Sequence, residues 1–302
     1  MRTALRHLPL ATLLYAGLAC ADTPLDLSHP ATPTVHVTIG NIKGEVTVTA
    51  WDRNEVHVGG SLGDGAQPLA ISGSDSDLQI KVRARGTSGL FSWGSDNAMG
   101  PTTLAVQVPR GASLDVQVVS APLSVDGIDG GAIEVDSVSG RVRIHARTPT
   151  LQVDSVSGSI EQSGRADHAE LQTVSGDILA PALGDRARLQ TVSGRVQARG
   201  GPWRSFTLST VSGDADVAGG VAASGRMDID SMSGDVQLTL PADVSATIHA
   251  SSFSGDLRSA FGKAEHREHG PGSELRVRQG GGSARVGIES FSGDVRIRRQ
   301  GD

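Results

Sequence analysis

The sequence predicts an all-β chain wound as a single-stranded parallel β-helix, a solenoid of about ten coils. Three observations predict it. The phrase Val-Ser-Gly recurs with its glycine at Gly140, Gly158, Gly176, Gly194 and Gly213, and in the variants led by Met232, Phe253 and Phe291 at Gly234, Gly255 and Gly293, in steps of 18, 18, 18, 19, 21, 21 and 38 residues. Apolar residues hold fixed places around each glycine: seven, five and two before it, two and four after it. Ile133, Val135, Val138, Val142 and Ile144 are one such set. Nearly everything beyond the N-terminus alternates with period two, which leaves almost no room for helix.

The chain opens with Arg2 and Arg6, an apolar stretch over 8–19, and the small-residue run Ala19, Cys20, Ala21. A basic start, an apolar segment too short to span a bilayer and an A-x-A site define a secretory signal over residues 1–21. The rival reading makes Cys20 the site of a lipid anchor, but Gly17 stands where a lipoprotein signal carries leucine. Cleavage after Ala21 removes the one cysteine and the one tyrosine. The mature chain then has no disulfide, no thiol nucleophile and no thiolate metal site. Loss of Arg2 and Arg6 takes the formal charge from −6 to −8. An acidic chain without a basic run is a poor nucleic-acid binder and a poor ligand for an anionic membrane face. No later segment has the length of apolar sequence that a transmembrane helix needs.

Residues 22–33, with three prolines and no pattern, read as a linker. The solenoid domain follows over 34–298. Its first coil places Val37, Ile39, Ile42, Val46 and Val48 around Gly44, with Lys43 as a charged edge where later copies carry serine. Residues 78–82 and 104–108 alternate as strands, and Ala121 stands in the glycine place of the next coil. Within each template the step of three between the second and third apolar positions breaks the alternation. A bend or bulge there is expected to keep every apolar residue inward. The glycines are expected at corners that demand positive φ or close backbone approach. The hydroxyl pairs before them, such as Ser137 with Ser139 and Thr173 with Ser175, should form ladders between coils. The strand over 295–297 runs into Arg298 and Arg299, charges that would blunt an exposed end; residues 299–302 are a tail. Two stretches break the rhythm and read as irregular loops, 85–101 and 261–283.

On these residues the chain resembles the bacterial putative-adhesin family of β-strand-repeat proteins. The features that carry the resemblance are the opening from Ile42 to Val48 (Ile-Lys-Gly-Glu-Val-Thr-Val), the phrase Val108, Pro109, Arg110, Gly111, the serial Ser-Gly-Asp copies, and the close from Ile288 to Val295. It covers roughly 34–298. The resemblance implies a right-handed β-helix and an exported envelope protein, with no assigned ligand. The family's Asp after glycine is replaced here by Arg141, Ser159 and Arg195.

Several chemistries are weighed. The column after the glycine includes Asp177, Asp214, Asp235, Asp256 and Asp294, and stacked carboxylates suit calcium; a solvated face is the simpler reading, and no cofactor is expected. His266 and His269, three apart beside Glu265 and Glu268, lack a third ligand and the spacing of a zinc protease. A polysaccharide-active enzyme would need two carboxylates about 5–10 Å apart across a groove, which stacked Asp235 and Asp256 would supply. Platforms for sugar stacking are few, chiefly Trp51, Trp93 and Trp203. The expectation is an exported, non-enzymatic scaffold or binding surface for an envelope protein or polysaccharide. Its candidate contacts are Phe91, Trp93, Asp214, Asp235, Asp256, His266 and His269. The alternatives are the glycan-active enzyme and a partner in envelope signalling.

Overall fold

The structure is a computed structural model that describes residues 23–85, 99–266 and 271–301. Among them there is no helix, and therefore none long and apolar enough to cross a membrane. The chain forms a solenoid-like stack of strands. Each coil approaches its Ser-Gly corner along a leading arm and leaves along a trailing arm; the trailing arm then turns at a second corner into the next leading arm. Continuous strands such as Val142–Ser157, Ile160–Ser175, Ile178–Ser193 and Val196–Ser212 contain one trailing and one leading arm each.

Stacking is parallel and places like on like. On the trailing side Val142, Ile160, Ile178, Val196, Ala215, Val236, Val295 and Leu257 lie over one another. On the leading side the row is Ile133, Leu151, Ala169, Ala187, Phe206, Met227, Val286 and Ile248. These rows are buried and form the apolar core of the stack. Where the repeat lengthens to 19 and 21 residues, the wider interior is filled by Trp203 and Phe206, whose rings lie 4.5 Å apart. Trp203 is fully buried, so it packs the core and offers no platform to sugar.

The third apolar position does not face inward. Alternation continues unbroken through it: Ile288 and Ser290 are buried while Glu289 and Phe291 face out. The inward slot belongs to a hydroxyl column, Ser137, Ser155, Thr173, Thr191, Thr210, Ser231, Ser290 and Ser252, all buried. A corner leaves carbonyls inside the stack that need donors. Ser155 donates to the Gly158 carbonyl (3.4 Å), Thr173 to the same oxygen (3.3 Å), and Ser252 to that of Gly293 (3.4 Å). No bulge is therefore required, and the valines are turned to the outside. At the corners themselves, a Cβ added to Gly213 would fall on the Gly194 carbonyl oxygen, and one on Gly158 on that of Gly140. Close approach of backbones, joined at Gly194 by φ +155°, leaves room for glycine alone.

Both ends depart from sequence order. The coil of Ala284–Ser292 and Val295–Arg299 inserts between Ala215–Ser233 with Val236–Leu240 on one side and Ala246–Ser254 with Leu257–Ser259 on the other. Residues 295–297 are thus interior rather than a blunted end. The end is formed by Ser273–Arg278, antiparallel to Ala246–Ser254, and by Glu265–His266 outside it, so 261–283 is partly strand. At the N-terminal end His36–Trp51 is likewise internal. Asp77–Lys81 and Thr102–Pro109 stack outside it, and the coil bearing Lys43 is not an edge. Residues 23–30, expected as linker, form the strand Thr23–Pro30, antiparallel to Glu55–Leu62. Leu25 and Leu27 are its half-buried face, and its prolines sit at the ends of an edge strand, where a missing N–H does no harm.

Candidate functional site

Because the third apolar position faces outward, the leading arms carry an apolar column on their exterior. In spatial order it runs Val138, Val156, Val174, Val192, Val211, Met232, Phe291, Phe253, following the strand pairings. Val156 is 52% exposed, Met232 59% and Phe291 59%. Phe253 and Phe291 stack with centroids 5.0 Å apart and planes 6° from parallel. Two residues earlier on each strand, on the same face, lies a polar column: Asp136, Asp154, Gln172, Gln190, Ser209, Asp230, Glu289 and Ser251. Together the two columns line a groove of about 1660 Å³ along the stack, with Lys81 and Arg83 at its N-terminal end.

The groove carboxylates lie beside an apolar column and without arginine partners. Some surface acids do pair with arginine, as Glu161 does with Arg143 (2.9 Å) and Asp216 with Arg199 (2.7 Å). Among the described residues Asp136, Asp154, Asp230 and Glu289 have no ion pair; Arg226, near Asp230, bonds Asp228 instead. Burial and the neighbouring Asp154 and Asp115 hold the Asp136 carboxyl above its ordinary range. Burial, Glu289 and Asp228 do the same for Asp230.

The column after the glycine behaves differently. Asp214 Oδ1 accepts the Asp235 amide (3.1 Å), Asp235 Oδ1 that of Asp294 (2.9 Å), and Asp294 Oδ1 that of Asp256 (3.1 Å). Arg296 bonds Asp294 (2.6 Å) and Asp235 (3.4 Å), and Arg258 bonds Asp256 (2.5 Å). Asp235 and Asp256 are not neighbours, since Asp294 lies between them. These carboxylates cap the amides of adjoining coils, and their remaining oxygens meet arginine. These are the carboxylates whose stacking suits calcium, and in the structure they face amide and guanidinium donors. No group of three or more metal-ligating side chains occurs among the described residues.

His266 is exposed on the outermost two-residue strand, with Nδ1 3.5 Å from the Ser273 hydroxyl. Phe91, Trp93 and His269 lie outside the described residues. Trp51 is half-buried at the N-terminal end with the Arg53 guanidinium 4.9 Å above its ring. Apolar spacing alone places these valines in the core, which hides the groove from the sequence. The signal that could have revealed it was the invariant hydroxyl one place before each of them, which keeps the inward alternation intact.

Fold and groove together define a repetitive β-scaffold with a groove along its exterior. The chain belongs to the Toastrack DUF4097 family, whose model matches residues 36–298. Among solved structures it is similar to a putative lipid binding protein from Parabacteroides distasonis ATCC 8503, at 12% identity and TM-score 0.52, covering 91% of this chain and 96% of that one. It is also similar to a putative adhesin from Bacteroides fragilis NCTC 9343 (12% identity, TM-score 0.43, 92% and 98% covered). A putative adhesin from Parabacteroides merdae ATCC 43184 matches at 10% identity and TM-score 0.41, with 92% and 99% covered. Likeness at this identity is likeness of fold. A search of curated proteins finds no match.

Proposed function

We propose that the protein is an exported, non-enzymatic binding scaffold that holds an elongated ligand in the groove beside its exposed Val-Met-Phe column. The observation that carries this reading is the column itself. A contiguous apolar row repeated over eight rungs leaves water contact that monomeric proteins otherwise keep small. Residues 1–21 support export, and the name of the Parabacteroides distasonis structure, a lipid binding protein, is that of a binder rather than a catalyst. The carboxylates that stacked acid catalysis would use are taken up by amides and arginines, which favours binding over hydrolysis.

A neutral environment-sensitive dye tests the reading. The folded protein should bind it, and Val192→Asp with Val211→Asp should abolish binding while the circular dichroism stays that of folded β-sheet. Equal dye binding by the double variant would place the apolar surface elsewhere.

A further inference from the structure

We infer that the occupant of the groove is an amphipathic α-helix with a basic flank, supplied by a cationic peptide or protein segment. The inference rests on the groove being the binding surface and names what fits it. The apolar column spans about 34 Å at ~4.8 Å per rung, the length of a helix of roughly 22 residues at ~1.5 Å each.

Three features select this occupant. First, the sheet's main-chain N–H and C=O groups are spent on coil stacking, so the face offers no hydrogen bonds to an extended peptide, which needs an open edge. A helix satisfies its own backbone and asks for side-chain contact alone. Second, the spacing suits it. Helical turns repeat about every 5.4 Å, near the ~4.8 Å rung, whereas same-face residues of an extended strand repeat at about 6.7 Å. A Leu stripe on the helix can therefore meet successive valines and end on the Met232, Phe291 and Phe253 cluster.

Third, the charge is complementary. The groove acids, which have no ion pair, fall in two pairs, Asp136 with Asp154 and Asp230 with Glu289, separated by neutral Gln172, Gln190 and Ser209; Asp154 also accepts from the Gln152 side-chain amide (3.1 Å). Lysine or arginine on one flank of the helix would lie over both pairs and relieve the mutual repulsion of each. The same acids repel phosphate, so an anionic lipid headgroup is the weaker match. Lys81 and Arg83 mark the limit of the cationic flank at the N-terminal end.

The test uses the full chain and a designed 22-residue helical peptide with a Leu stripe flanked by Lys, beside an isomer flanked by Glu. Binding is read by fluorescence anisotropy at low and physiological salt, with sedimentation of anionic and neutral phospholipid vesicles as the lipid arm. The Lys peptide should bind at least tenfold tighter than the Glu peptide and weaken as salt rises. Asp230→Asn with Glu289→Gln should weaken it about tenfold, and Asp214→Asn with Asp256→Asn should leave it unchanged. Equal binding of the two peptides, or vesicle binding without peptide binding, overturns the inference. If the neutral dye still binds while the Lys peptide does not, the groove stands and the helical ligand falls; if neither binds, the groove reading falls with it.

Discussion

Two columns of carboxylates run along the same solenoid, one at the Ser-Gly corners and one beside the outward valines, and they are built for different ends. At the corners Asp214, Asp235 and Asp294 each accept an amide from the next coil, and Arg258 and Arg296 meet their neighbours' free oxygens. In the groove Asp136 and Asp230 each face water, acidic neighbours of their own and an apolar wall, without an ion pair. The first column is consumed in holding the stack. The second has hydrogen-bonding and charge capacity left over. The groove proposed as the binding surface is marked by capacity the coils leave unused beside an apolar column, not by the number of acids in a row.

The largest effect that can probe this contrast lies under the corner column. Gly213→Ala puts a methyl on the Gly194 carbonyl oxygen, forcing the corner apart and breaking the amide–carboxylate contacts around it. The expected loss is on the order of 3 kcal/mol in denaturant unfolding. A loss near zero would mean that the corner is loosely packed and that its carboxylates are free for other work.

A smaller pair of effects separates the columns by sign. Asp235→Ala removes the acceptor of the Asp294 amide and a partner of Arg296, and should cost about 1 kcal/mol. Asp136→Asn and Asp230→Asn should do the reverse. Their folded-state pKa is raised, so the folded protein holds these protons more tightly than the unfolded chain. Stability is then lost as pH rises through the raised value, and at acid pH both states are protonated. The Asn variants should gain up to about 1 kcal/mol at pH 7, limited by partial exposure to water, and nothing near pH 3. Destabilisation at pH 7 would show that the groove acids have structural partners after all.

The sequence made the stack legible and hid its exterior. Period and glycine spacing sufficed for the solenoid, since a coil that places Gly158 on Gly140 must repeat the same approach at Gly176 and Gly194. Alternation located the buried rows at Ile133, Val135, Val142 and Ile144. It failed at Val138 and its copies because a polar Ser or Thr in the inward slot mimics an exposed residue. For Ser155, Thr173, Ser231 and Ser252 the partner that holds the hydroxyl inside, a corner carbonyl, exists only once the coils are closed; Ser137, Thr191, Thr210 and Ser290 are buried without such a partner. The end arrangements were not legible either. Spacing along the chain carries no information on the insertion of 284–299 between earlier coils, and Pro24 and Pro30 disguised an edge strand as a linker. Of the site itself, Phe253, Phe291 and Met232 were visible as variants of the repeat, but their meeting on one face depends on that insertion.

The account turns on which residue of each Thr-Val or Ser-Val pair faces water, and thiol labelling reads that directly. In a Cys20→Ser background, which removes the one native cysteine, Val174→Cys and Thr173→Cys can be compared by their rates of maleimide labelling. Cysteine at 174 should react like an exposed thiol, and cysteine at 173 should be protected until the protein is unfolded. Protection at 174 with fast labelling at 173 would return the valines to the core, and the groove would not exist.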